Sequence, residues 1–163
     1  MKLPHVYIAV FLGFILFSCE VKKENSELVL DEEGVFKSVI THSAGDSWNT
    51  SDTFLALPMN VGEINEKDVL LLSDRVKVGK SVSVIPIGAV KLIENDSIKT
   101  YVIAIPYLEN DKKIDAQGFD EFSTVFSSAK WIIEQYLVNR KGNNVIKLKS
   151  WENEKIAINY LLN

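Results

Sequence analysis

The chain has little with which to build several common kinds of site. Its 163 residues include one cysteine, Cys19. That excludes an internal disulfide framework, a cysteine-ligated zinc site and dithiol chemistry. Two histidines, His5 and His42, are present, and only His42 lies outside the N-terminal leader. A histidine-rich metal site or a Ser-His-Asp triad therefore has little to draw on, and a lone histidine near a strand end reads as a surface residue. The eight glycines form no nucleotide-binding pattern. There is no basic excess: 18 Lys and Arg against 22 Asp and Glu leave a net charge of −4. That is the wrong sign for non-specific nucleic-acid binding, so no nucleic-acid partner is expected. Internal repeats and low-complexity tracts are missing too.

What is present begins at the N-terminus. Met1 to His5 carries one positive charge, on Lys2, and Val6 to Phe17 is an unbroken apolar run. That run is too short for a bilayer core, which needs about 20 apolar residues. It fits the core of a secretory signal. Leu16-Phe17-Ser18-Cys19 resembles a lipobox, in which a small residue precedes the cysteine that is acylated and becomes the new N-terminus. The expected organisation is a signal peptide over 1–18, a lipidated Cys19 with a flexible tether over 19–34, and one domain over 35–163. The tether is polar, and its Asp31-Glu32-Glu33 cluster reads as solvated. Lipidation of Cys19 would leave no thiol. It would place the protein in the cell envelope, with the membrane as a partner through the anchor, on a periplasmic or outer-membrane face.

From Val35 the pattern becomes strand-like. Short runs rich in Val, Ile and Leu cover 35–41, 53–57, 68–73, 81–94, 100–107 and 145–151. Gly79, Asn95-Asp96 and Gly142-Asn143-Asn144 supply turn chemistry between them. This density predicts an all-β barrel or sandwich core. Ala129, Ile132, Ile133, Tyr136 and Leu137 share one face at helical spacing, with Ser127 or Ser128 as a cap and Gly142 past the end. Ala157, Tyr160 and Leu161 predict a second helix after an Asn153 cap. The expected class is α+β: a small barrel with two packed helices.

One block carries a family resemblance. Asp68-Val-Leu-Leu-Leu-Ser73, Val78-Gly-Lys-Ser-Val-Ser-Val-Ile-Pro-Ile-Gly-Ala-Val-Lys-Leu92 and Lys99-Thr-Tyr-Val-Ile-Ala-Ile-Pro106 resemble the central strands of the soluble inorganic pyrophosphatases. Leu57-Pro-Met-Asn-Val-Gly62, Asn139-Arg-Lys-Gly142 and Trp151-Glu-Asn153 match further family motifs in the same order. The resemblance is closest to lipoprotein-type members of the Bacteroidetes group. It implies a closed OB-like barrel, diphosphate or a related phosphorylated small molecule as ligand, and a homo-oligomer. It also implies hydrolysis with Mg²⁺, which neutralises the phosphates and activates a water among aspartates.

The match is incomplete where that chemistry sits. The acidic segment entering the Asp68 strand is shortened to Gly62-Glu-Ile-Asn-Glu-Lys-Asp68, with Glu63 and Glu66 as displaced substitutes. In the acidic turn the first aspartate falls on Glu94, the second on Lys99 and the phosphate-binding lysine on Tyr101. The helix-end tyrosine falls on Arg140, Lys141 is kept, and Thr53 replaces an early arginine. The implied assignment is Asp68 as catalytic residue, Asp68 and Glu94 for metal, and Lys99, Arg140 and Lys141 for phosphate. Lys99 puts a cation where a metal ligand is expected, which reverses the local electrostatics. Two readings stay open: a weak anchored Mg²⁺-dependent diphosphatase, or a member kept for binding or structure after its metal cluster was lost. Each residue also has a plain reading: Asp68 starts a strand, Glu94 caps a hairpin, and Lys141 neutralises a helix end.

The anchor is directly testable. Cys19→Ala should remove the acyl mass seen by mass spectrometry and move the chain out of the membrane fraction; unchanged membrane retention would refute lipidation at this site.

Overall fold

A computed structural model describes residues 34–46, 57–108, 112–141 and 145–163. The elements are β1 (Phe36–His42), β2 (Asn60–Ile64), β3 (Lys67–Leu71), β4 (Ser81–Glu94), β5 (Ser97–Pro106), α1 (Phe119–Thr124), α2 (Ser127–Asn139), β6 (Ile146–Glu152) and α3 (Glu154–Leu162). The strand order is β1-β2-β3-β5-β4, and an additional β1–β4 pairing closes these five into a ring. The β3–β5 pairing is parallel, while β1–β4 and β4–β5 are antiparallel. The sixth strand, β6, pairs with β4 outside the ring. It ends the sheet, so its other side is an edge among the described residues.

The long β4 makes closure possible. Its first residues, Ser81–Val84, pair with β1, and Ala89–Glu94 pair with β6. Between them the register with β5 slips at Pro86/Gly88. Proline has no N–H to give a ladder, and a bulge there bends the strand from one neighbour toward the next.

Side-chain alternation then builds two cores. Phe36, Ile40, Ile64, Val69, Leu71, Val84, Ala89, Val102 and Ala104 come from all five ring strands and form the barrel interior, with Ala157 and Leu161 of α3. The opposite faces present Val61, Leu70, Val90, Leu92, Tyr101 and Ile103 to Phe122 of α1 and to Ile133, Tyr136 and Leu137 of α2. Strand β3 reads as a continuous apolar run because both its faces are covered. Among the described residues the two cores are built from Phe36, Ile40 and residues from Leu57 onward, all within the domain expected from residue 35.

The α+β barrel agrees with expectation, and several details correct it. Among the described residues three helices pack on the barrel rather than two. The short α1 carries only six residues and follows Gly118, with no side-chain cap. Neither Ser127 nor Ser128 caps α2; it starts after Phe126 without a side-chain cap bond, because α1 runs almost directly into it. Ile132 of the expected apolar face is 49% exposed. The shortened acidic segment Gly62–Asp68 is a hairpin: β2 and β3 are joined by Asn65-Glu66, both at positive φ, as a tight two-residue turn requires. The strand expected over 53–57 and the expectations for Cys19, the leader, Thr53 and Gly142-Asn143-Asn144 fall outside the described residues, apart from Leu57, which is in no strand. The Asn153 cap is present, its side chain accepting from Ile156 N at 3.1 Å, and Asn95-Asp96 turns with φ of 49° and 59°. No helix among the described residues is long and apolar enough to cross a membrane.

A Cβ at Gly88 would lie 2.8 Å from Phe119 Cδ2 and 2.9 Å from the Glu152 carbonyl oxygen. Gly88→Ala should therefore cost roughly 1–3 kcal/mol by forcing α1 and β6 off β4. Chemical denaturation reads this out; an unchanged midpoint would show that α1 does not pack as described.

Candidate functional site

The site forms where β4 turns into β5. The pairing continues to Glu94↔Ser97 across the Asn95-Asp96 turn, so Lys99 lies close to the carboxylate that ends β4. Lys99 Nζ stands 3.3 Å from Glu94 Oε2. The end of α2 delivers two more cations. Arg140 Nη2 donates to Glu94 Oε2 at 3.2 Å and to Tyr101 Oη at 2.7 Å, and Lys141 Nζ pairs with Oε1. The Arg140 guanidinium also lies 5.0 Å from the centroid of the Tyr101 ring.

Burial sorts these groups. The Glu94 and Arg140 side chains are 1% and 3% exposed, whereas Lys99 and Lys141 keep 51% and 38%. A buried carboxylate–guanidinium pair thus sits under a thin cover of two ammonium groups. Burial pushes the Glu94 pKa up. The hydrogen bonds from Lys141 and Lys99, with the charges of Lys99 and Arg140, outweigh it and hold the carboxyl below its ordinary value. Glu94 is ionised and fully engaged.

Asp68 is placed by the parallel β3–β5 register. Val69 opposes Val102, so Asp68 and Tyr101 are the next pair back on the side away from the barrel interior. Asp68 is solvent-accessible, yet the surrounding protein raises its pKa by desolvation, against the opposing charges of Arg140, Lys99 and His42. Arg140 and Lys99 therefore act on both carboxylates. His42 ends β1, where its Nδ1 lies 3.1 Å from Thr41 Oγ1. The barrel thus gathers Asp68, Glu94, Lys99, Arg140 and Lys141 at one end.

Tyr101, Tyr136 and Tyr160 all border this end. Tyr101 takes the hydroxyl contact from Arg140. In the sequence Tyr136 belongs to an apolar helix face. Its hydroxyl is buried with no hydrogen-bond partner among the described residues. Burial raises its pKa and the Arg140 charge opposes this. The signal for it was the i, i+4 spacing from Tyr136 to Arg140 on one helix.

The donors among the described residues do not suit a Mg²⁺ cluster. Mg²⁺ requires near-octahedral oxygen ligation, but both Glu94 oxygens face cations, which leaves Asp68. Glu63 opposes Asp68 in the hairpin and Glu66 lies in its turn. Even so, no group of three or more His, Cys, Asp or Glu among the described residues is arranged to hold a metal.

No protein-family model matches the chain, and no curated protein matches it. Solved structures do. The inorganic pyrophosphatase from Thermus thermophilus superposes with a TM-score of 0.70 at 14% identity, over 83% of this chain and 92% of that one. The Coxiella burnetii inorganic pyrophosphatase gives 0.67 at 19%, over 81% and 94%, and the Helicobacter pylori enzyme 0.65 at 19%, over 85% and 95%. The fold is that of the inorganic pyrophosphatases. At these identities the likeness is one of architecture, and the pyrophosphatase fold here carries a carboxylate locked by three cations.

Glu94→Gln would leave Arg140 buried without its counter-charge and should cost about 3 kcal/mol at neutral pH, the low end for a broken buried pair because the lysines stay half-exposed. Because the Glu94 pKa is lowered on folding, its contribution is present above the ordinary glutamate value of 4.5 and is lost as pH falls through the depressed value. Urea denaturation of both proteins should show a gap that narrows towards acid. A gap that is constant from pH 7 to pH 3 would contradict the ion-pair account.

Proposed function

We propose that this is a pyrophosphatase-fold domain of the cell envelope, anchored through Cys19, that binds diphosphate or a related phosphorylated small molecule without hydrolysing it and without a metal ion. The observation that carries this reading is the triple engagement of Glu94 by Lys99, Arg140 and Lys141. A carboxylate held this way offers no oxygen to Mg²⁺, and the three fixed cations outnumber it. The half-exposed ammonium groups of Lys99 and Lys141 are the donors an arriving phosphate would meet, as charge-assisted hydrogen bonds. Arg140, buried and held by Glu94 and Tyr101, keeps the positive field in place beneath them.

A Mg²⁺-dependent diphosphatase is the second reading. It is favoured by the fold itself and by Asp68, an accessible carboxylate in the field of Arg140, Lys99 and His42.

The domain from Val21 onward separates the two. Phosphate release from diphosphate at micromolar protein should be absent with and without Mg²⁺. Calorimetry in the presence of a chelator should show diphosphate binding that weakens at least about tenfold in Lys99→Ala/Lys141→Ala, the size expected when two charge-assisted bonds are removed. Mg²⁺-dependent release that Asp68→Asn abolishes would overturn the binding reading in favour of the enzyme.

A further inference from the structure

Strand β4 has a second polar end, far from Glu94. Ser83 and Glu94 are separated by on the order of 35 Å along the strand. Val82 and Val84 turn inward to the barrel, so Ser81 and Ser83 face outward, beside Val39 and Lys37 of β1. Over these serines lies a cavity of about 390 Å³ whose walls include Arg75, Lys77 and Lys80. This is a size that suits a small ligand.

The cavity wall is held in place by backbone bonds. Gly79 N donates to Ile40 O at 2.8 Å, and Ile40 N donates to Lys80 O at 3.0 Å. Gly79 takes φ +83°, the left-handed geometry that lets the chain turn between the two lysines. At the base of the loop the buried Asn60 side chain accepts from Val76 N at 2.9 Å and donates to the Asp74 carbonyl at 2.8 Å. The charges are unevenly balanced. Arg75 is paired with Asp46 at 2.8 Å, and Asp74 with Lys113 at 2.7 Å. Lys77 and Lys80 have no carboxylate partner among the described residues.

We propose that this cavity is a second anion site, which takes an organic phosphate ester. Two uncompensated ammonium groups and the two outward hydroxyls supply several donors to one group. A tetrahedral phosphate, with several acceptor oxygens, matches them better than a carboxylate does. The apolar part of the wall, Pro106 and Leu108, faces the organic substituent, which inorganic phosphate lacks. Such an ester reaches the site either as a soluble molecule or as the headgroup of a phospholipid. The site is independent of the Glu94 cluster and does not rest on its proposed role.

The domain from Val21 onward tests this with two probes. Glycerol 3-phosphate, followed by calorimetry, reports the soluble source. Co-sedimentation with phosphatidylglycerol vesicles, compared with phosphatidylcholine, reports the headgroup source. Lys77→Ala/Lys80→Ala should lower binding in whichever arm is positive by tenfold or more, also in a Lys99→Ala/Lys141→Ala background where the Glu94 cluster no longer contributes, and Lys147→Ala/Lys149→Ala, on the exposed part of β6, should leave it unchanged. Binding of glycerol 3-phosphate supports a soluble ester; binding of phosphatidylglycerol vesicles alone supports a headgroup. No binding in either arm overturns the proposal. So does binding that survives Lys77→Ala/Lys80→Ala in the Lys99→Ala/Lys141→Ala background, or that falls equally with Lys147→Ala/Lys149→Ala.

Discussion

The domain depends on one strand serving three neighbours. β4 pairs along most of its length with β5, at its start with β1 and at its end with β6. A straight strand cannot meet β1 and β6 on the same edge without a change of direction, and the irregularity at Pro86/Gly88 supplies it. Gly88 also leaves room for Phe119 and the β6 backbone. The same strand therefore closes the barrel and carries a polar end on each side of the bend. One end finishes in a buried carboxylate; the other opens in two serines.

The buried end shows what charge burial demands. A carboxylate and a guanidinium removed from water lose several kcal/mol of hydration each, and recover it only with good geometry and further partners. Here the further partners are Tyr101 and two lysines that remain in contact with solvent. The arrangement is stable because each charge answers another, not because it is intrinsically favourable. It also gives a physical account of how a pyrophosphatase fold can keep its shape at this position with fixed cations: the positive charge comes from the ends of α2 and β5.

Much of the architecture was legible in the sequence because local and tertiary preferences agree there. β4, β5 and their Asn95-Asp96 turn, the Asn153 cap and the buried side of α2 follow from period, turn chemistry and capping. β2 was hidden because Asn60-Val-Gly-Glu-Ile64 is short and interrupted by a glycine and an acid, so its pairing depends on β1 and β3 rather than on propensity. α1 escaped for a similar reason: six residues are too few to hold a helix alone, and it is kept by burial of Phe122 and by Phe119 stacking 6.2 Å from Trp151. At the site, the order of motifs picked out Glu94, Lys99, Arg140 and Lys141 individually. That Arg140 would be buried against Glu94, 46 positions away, is set by how α2 crosses the sheet, which no local pattern encodes.

The edge that β6 leaves among the described residues would matter for a protein held on a surface. An unpaired strand side is a template for strand addition from another copy. Along this one, Lys147 and Lys149 flank an exposed Leu148 and are exposed themselves. Two copies meeting edge to edge would bring like charges together, so the lysines act as a repulsive fringe. If the chain is held to a membrane by its N-terminus, where motion is two-dimensional and encounters are frequent, that fringe keeps neighbours from zipping into a continuous sheet.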